Sequence, residues 1–513
     1  MESSDTDILS DLKKEFRNIK CLATEEKSKK SVRNCGECKI GSDKPEIDFT
    51  IASAKLDGIL TKIKNDSPHY FKALSMAASI LYERAKICLN LNLLEESKAY
   101  LEKGLQLVEK FIDNSQVTFI YLRIVNFLSY IVSRLNDFDK AKNLLEMVVN
   151  SELKCKPVVY STDDLFLTTK IEDNVSKTKL EKLNINNIQM LGWIYYKLGM
   201  TNLYAQTIHK GLQLELDIND GDPVHWATRC CRLASFFIIQ DMWENARYHL
   251  SAAQIVLDAV ELTSSTNASF FKAQGDLARI WVNYGLQLFG ISRKSILEKV
   301  WDENDEIKPN KKLKSECFTF SGMDIRLPNV PVKEITNVQE SRELFSYTHV
   351  WLKRARLFYS LRDYPLQYIN IILELSELYR FLAYYEKDLD SQYDVTKKRF
   401  ETLETLSSVL REVRPSCYAT MSLEIIREII DVQLELMNLN LKKLYNPIED
   451  TALNESDLKK RIDIVNDVNV KVGKIYNKRN ESKILHIAED NKEALPGTSD
   501  ETITEVAHAN FVL

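Results

Sequence analysis

The chain has 513 residues, 44% hydrophobic and 28% charged, which is enough apolar material for a large buried core and excludes a wholly disordered chain. With only 14 Gly and 11 Pro, it lacks the breakers that turn-rich and strand-rich folds need and long helices avoid. Its formal net charge of −5 is not the basic footprint of a nucleic-acid-binding protein. At the N-terminus, Met1–Lys14 is acidic and polar where a secretory signal needs a basic start and an apolar run. No apolar stretch approaches the roughly 18–20 residues that cross a bilayer, so no membrane insertion is expected. Asp5–Cys21 predicts a first helix, and Ala23–Glu46, rich in Lys, Ser and Gly, predicts a flexible loop, which together set residues 1–48 apart. Phe49–Lys64 predicts a second helix, closed by Asn65-Asp66-Ser67-Pro68.

From there to residue 293 the pattern is that of helix hairpins in series. A tetratricopeptide (TPR) unit places small or apolar residues at fixed positions of its helices A and B, the small ones allowing close approach and the larger ones filling the gap beside them. The first unit offers Ser97, Leu101 and Gly104 on helix B. The second offers Leu128, Ser129 and Val132, then Ala141, Leu145 and Val148. The third offers Leu191, Gly192 and Tyr195, a turn at Gly199, then Tyr204, Ile208 and Gly211. The fourth offers Leu233, Ala234 and Phe237, then Ala246, Leu250 and Ala253. The helix B anchors at 97, 141, 204 and 246 are spaced more widely than the 34 residues of a standard array, and the longest step holds an insertion, Ser151–Thr178. Any one unit could be an ordinary amphipathic hairpin, but four in series describe a divergent solenoid.

Ala268–Phe289 predicts a further long helix. Residues 294–340 predict an exposed linker, with Pro309, Pro328 and Pro331 beside the cluster Lys311-Lys312-Leu313-Lys314, read as a solvated loop in preference to an import signal. Helices resume at Ser341–Leu361, Leu366–Tyr385, Lys387–Arg411, Ser416–Leu444 and Leu458–Lys478, making residues 341–478 a second array that includes a long linker helix. Residues 479–513 are polar, carry Pro496-Gly497, and predict a disordered tail. The expected fold is all-α.

Catalytic chemistry finds no foothold. Nine cysteines (Cys21, Cys35, Cys38, Cys88, Cys155, Cys230, Cys231, Cys317 and Cys417) are scattered over the chain, as reduced cytosolic thiols are. Cys35 and Cys38 form a CxxC with no second pair for zinc and no strand-to-helix context for redox work. The seven histidines (69, 209, 225, 249, 349, 486 and 508) include no i, i+4 pair of the kind that binds metal on a helix, and each reads as a surface or packing residue. Phosphate-loop, dinucleotide and serine-hydrolase motifs are absent from the sequence. The expectation is a non-enzymatic protein with no cofactor, metal or small-molecule substrate. What such an array offers is a surface. TPR A helices line one face with every fourth residue, here Asn126, Tyr130 and Arg134 in the second unit and Gln189, Trp193 and Lys197 in the third. An aromatic flanked by amides and cations suits a protein partner, although Trp193 could equally pack against its neighbouring repeat.

Several strings go beyond generic TPR character. Leu191–Gly199, Asp222-Pro223-Val224-His225-Trp226, Trp243–Ala253, Arg342-Glu343-Leu344-Phe345 and Phe381-Leu382-Ala383-Tyr384-Tyr385-Glu386 resemble the KIF-binding protein family over roughly residues 65–445. That resemblance implies a right-handed TPR-like α-solenoid in two halves joined by a long helix. It also implies a function: gripping kinesin motor domains and keeping them off microtubules, in support of axon growth and organelle transport. The location implied is cytoplasmic and associated with the cytoskeleton. A generic TPR adaptor or co-chaperone scaffold is the alternative, but clamping an acidic tail needs clustered cations, and Arg134 and Lys197 alone fit that role.

Overall fold

The computed structural model describes residues 7–21, 49–63, 67–150, 165–166, 173–219, 221–261, 267–301, 317–413 and 418–445. The expected helix at Leu458–Lys478, the tail, the loop holding Cys35 and Cys38, the lysine cluster and most of the insertion lie outside these residues. The described residues form fifteen α-helices of twelve residues or more and no strand. By contacts the chain divides into two compact units, Met1–Ala273 with Pro309–Pro328, and Gln274–Lys308 with Asn329–Leu513.

In the first unit, α1 (7–21) and α2 (Phe49–Leu60) precede four hairpins. These are α3 (Tyr70–Asn90) with α4 (Leu94–Val108), α5 (Thr118–Arg134) with α6 (Phe138–Asn150), α7 (Asp173–Lys197) with α8 (Thr201–Ile218), and α9 (Pro223–Ile239) with α10 (Trp243–Asp258). Each hairpin closes with the same device. A residue at positive φ sits between the helices: Asn92 (61°), Asn136 (65°), Gly199 (70°) and Asp241 (57°). The residue after it donates its N–H back across the turn: Leu93 to Cys88, Asp137 to Val132, Met200 to Tyr195 and Met242 to Phe237, all within 3.1 Å. This is the Schellman closure, which favours Gly, Asn and Asp because their short side chains tolerate the left-handed backbone. The same closure in all four hairpins agrees with a repeated unit.

The expected packing residues fill the interior. Leu101, Ala141, Leu145, Leu233, Ala234, Phe237, Ala246, Leu250 and Ala253 are fully buried; Tyr204 and Ile208 are only partly so. Gly192 shows why a small residue is needed on α7. A Cβ there would lie 2.5 Å from Ile208 Cδ1 and 3.0 Å from Ile208 Cγ1 on α8. Gly192→Trp is therefore expected to push the hairpin apart, at a cost of about 1–3 kcal/mol or more. Chemical denaturation of the variant should show a lowered midpoint, and an unchanged one would mean that the repeat register is misplaced. At the other end of the unit, Glu15 of α1 bonds Lys55 of α2 and Arg84 of α3. Burial opposes its charge, but these two cations prevail and hold it below the usual carboxylate value.

The second unit contains most of α11 (Asn267–Trp301), then α12 (Val338–Phe358), α13 (Pro365–Tyr385), α14 (Leu389–Val413) and α15 (Ala419–Tyr445). Its core joins Ile369 and Ile372 of α13, Leu403, Leu406 and Leu410 of α14, and Ile425, Ile429, Val432 and Leu436 of α15. α11 runs twelve residues past its expected end at Phe289. Gly290 and Ser292 read as helix-weakening, but the Ser292 hydroxyl bonds back to Leu288 O at 2.6 Å and accepts the Ile335 N–H at 2.9 Å.

Within the exposed linker expected at 294–340, residues 294–301 are helical, and the following described segment, 317–337, is a mostly exposed strap that buries three side chains, Phe320, Val330 and Ile335, at 4%, 3% and 1% exposure. Its few apolar residues are too widely spaced to show a period, and its prolines and glycine dominate the sequence signal. The strap ends at the N-cap of α12: the Glu340 N–H donates to Asn337 Oδ1 at 2.9 Å, and the Glu340 carboxylate in turn accepts the N–H of Thr336, one residue before the cap, at 3.0 Å.

Candidate binding surface

The six residues assigned to a partner-binding face divide between interior and surface. Asn126 and Tyr130, at 8% and 3% exposure, do not reach solvent. Asn126 Nδ2 donates to Asn187 Oδ1 at 2.7 Å, tying α5 to α7, and Tyr130 receives a hydrogen bond from Arg134 at 3.1 Å. The longer, closely packed helices here place Asn126 against α7 and bury Tyr130 instead of leaving them in an open groove. Gln189 is half-buried and donates to Glu215 on α8 at 2.8 Å. Beside it, burial raises the Glu215 pKa despite the Arg229 guanidinium bonded to it. Arg134 and Lys197 are exposed. Trp193 is half-buried, edge-on to Phe138 with centroids 6.1 Å apart, and carries the Lys197 ammonium 5.9 Å from its ring centre. Of the six, Arg134 and Lys197 are exposed and Gln189 and Trp193 half-buried, so these four have surface a partner could touch.

On α8 and α10 the structure brings together two histidines, 40 positions apart, that sequence spacing does not connect. His209 Nδ1 lies 3.1 Å from His249 Nε2, and His249 Nδ1 lies 2.7 Å from Asn245 O. A carbonyl only accepts, so His249 donates through Nδ1 and, while neutral, turns an accepting Nε2 toward His209. The two histidines sit on successive B helices about one repeat step apart, and that step was the available signal. Burial pushes the His249 pKa down to about 3 from 6.5, against the pull of the Asn245 carbonyl, and burial also lowers that of His209. Unfolded histidines take protons near their ordinary value, while these folded ones refuse them. Stability fully present above about pH 6.5 is therefore lost as pH falls through the window below it, with about 2 kcal/mol from His249 gone by pH 5. Urea midpoints should fall between pH 7 and pH 5 in the wild type, and by clearly less in His249→Gln. Equal slopes in the two proteins would contradict this assignment.

Open cavities of about 430 and 450 Å³ lie among the described residues of the second unit. Arg293, Lys294 and Phe381 line one, Glu374, Glu377 and Glu424 the other, and Arg380 reaches both. Neither described lining contains Ser, Cys, His or Tyr, the groups from which an activated nucleophile is built. Among the described residues, no group of three or more His, Cys, Asp or Glu side chains is placed to hold a metal, and no helix is long and apolar enough to cross a membrane. The described surface is one of helix faces, turns and the strap.

Comparison with known proteins agrees. Residues 224–511 match the family model described as KIF-1 binding protein C terminal. The chain belongs to this family. Curated relatives named KIF-binding protein include those of Xenopus tropicalis, 22% identical over 71% of this chain and 65% of the relative, and Gallus gallus, 22% identical over 68% and 64%. The human relative is 23% identical over 63% of this chain and 56% of its own length. The matched part thus spans somewhat less than two thirds of these relatives. A solved structure described as kinesin binding protein (KBP) aligns with 97% of the chain and 86% of its own, at 16% identity and a TM-score of 0.57. That likeness supports the all-α solenoid fold, and the family's named property is binding.

Proposed function

We propose that this chain binds kinesin motor domains and blocks their attachment to microtubules, acting without catalysis in the cytoplasm, in association with the cytoskeleton, and so regulating microtubule-based transport and axon growth. The observation that carries the reading is the family match over residues 224–511, whose relatives are named for kinesin binding. Two features of the chain support it. The net charge of −5 complements a motor surface that is basic because it faces acidic tubulin. Trp193 beneath Lys197 provides an aromatic anchor one side of which is already packed on Phe138, so little order is lost on contact.

Titration of a purified kinesin motor domain, together with microtubule co-sedimentation, tests both levels. The wild type should bind the motor and release it from microtubules. Trp193→Ala combined with Lys197→Ala should weaken binding by roughly thirtyfold, about 2 kcal/mol, with helicity unchanged. Equal displacement by both forms would place the contact elsewhere on the chain. A wild type that never binds a motor would sink the reading itself.

A further inference from the structure

Segment 317–321 lies on α8 and α10 as a peptide lies in a receptor. Cys317, Thr319 and Ser321 face solvent while Phe318 and Phe320 point inward, the two-residue alternation of an extended chain. No strand edge holds it. Its main chain is read by side chains instead. The Phe318 N–H donates to Asn245 Oδ1 at 3.0 Å, and the Phe320 N–H to the Tyr248 hydroxyl at 2.8 Å. Gln213 takes the Ser321 N–H at 2.8 Å and returns a longer bond to Ser321 O at 3.4 Å. The inward rings fill aromatic pockets: Phe320 stacks on His209 at 4.5 Å, and Phe318 on Phe237 at 5.5 Å. Side-chain readers for the backbone plus pockets for alternate residues form a peptide-recognition arrangement.

Two observations make the strap separable. The part of the strap that belongs to the first unit ends at Pro328, and the chain on both sides of that part, through Lys308 and from Asn329, belongs to the other compact unit, so only non-covalent contacts attach it to α8 and α10. One of those contacts is also contested. His209 lies between two acceptors, His249 Nε2 at 3.1 Å and Thr319 O at 3.2 Å, and while neutral it has one proton to give, so Thr319 O competes for it with His249.

We propose that the groove of α8 and α10 is a self-occupied peptide site: the strap undocks without unfolding the helices beneath it, and the vacated groove takes an extended aromatic-x-aromatic segment of another protein. Motor binding is a separate matter, and the test contains no motor. Hydrogen exchange on the wild type comes first. The Phe318, Phe320 and Ser321 amides should exchange at least tenfold faster than the core amides of α8 and α10; exchange in step with those helices would show a fixed strap and overturn the proposal. Next, a fluorescein-labelled peptide of residues 317–323, with Ser for Cys317, is titrated into the full chain. Phe318→Ala with Phe320→Ala, which weakens the resident strap, should bind the peptide at least tenfold more tightly than the wild type, and a further Gln213→Ala should reverse the gain. A helical, cooperatively melting double variant that binds no better than the wild type would equally overturn it.

Discussion

Gly285→Ala is expected to destabilise the second unit by about 1–3 kcal/mol or more, although it adds a single methyl to a helix interior, where Ala is the better helix former by about 1 kcal/mol. The reason is the approach of α11 to α12. A Cβ at 285 would overlap the Thr348 hydroxyl and lie 2.8 Å from Thr348 Cγ2 and 2.9 Å from Thr348 Cβ. Rotating the threonine exchanges one clash for another, because every branch of the side chain and the Cβ itself lies in the way. Thr348 is fully buried, and its hydroxyl is bonded to Leu344 O at 2.8 Å, so rotation would also break a buried hydrogen bond. Relief requires the two helices to separate, which loosens the neighbouring stack of Trp281 on Trp351. Thermal or urea denaturation measures the loss. Thr348→Ala in the Gly285→Ala background should recover much of it by emptying the contested space. If Gly285→Ala matches the wild type, or Thr348→Ala brings no recovery, the close approach of these helices is not as described.

What the sequence disclosed follows from which interactions are local. Helix hairpins were legible because their packing residues recur along one helix face, and the small residues Gly104, Gly192 and Gly211 mark where faces touch. The turns Asn92, Asn136 and Asp241 carried a signal of the same local kind that went unused, because only Gly199 reads as a turn on composition alone. Three features were out of reach for a common reason. Asn126 and Tyr130 look like face-lining residues on helical spacing, but the orientation of one hairpin against the next decides their burial. The bond between His209 and His249 joins separate repeats, and Phe318 and Phe320 meet their pockets from about 70 to 110 positions away. Local pattern does not encode such pairings; stacking of the repeats does. The surface residues of the candidate site, Trp193 and Lys197, were visible because a helix sets them four positions apart on one face.

Arg399→Leu is expected to cost about 3 kcal/mol, and the expectation turns on where its charge goes. The side chain is 2% exposed in the centre of the second unit. Its guanidinium bonds the Ser376 hydroxyl of α13 at 3.0 Å and two carboxylates of α15, Glu428 at 2.7 Å and Glu435 at 3.0 Å, so one residue of α14 ties three helices together. A planar fork can reach all three; an ammonium cannot, and Arg399→Lys should fall between wild type and Arg399→Leu. Leucine fills part of the volume but leaves Ser376, at 1% exposure, without its donor, and leaves two carboxylates side by side. Those carboxylates are 36% and 46% exposed and can turn toward water, which holds the cost near the lower end of the range for a broken buried pair. Most of the remaining penalty is then repulsion between Glu428 and Glu435, so Glu428→Gln in the Arg399→Leu background should restore part of the lost stability while the same change alone destabilises. Urea midpoints of these variants and the wild type at pH 7 decide the matter. If Arg399→Lys is as stable as the wild type, charge alone suffices and the three-helix fork is not what holds α14 in place. If Glu428→Gln rescues nothing, the cost comes from the void that a leucine side chain leaves between α13 and α15, and the electrostatic account of this core fails.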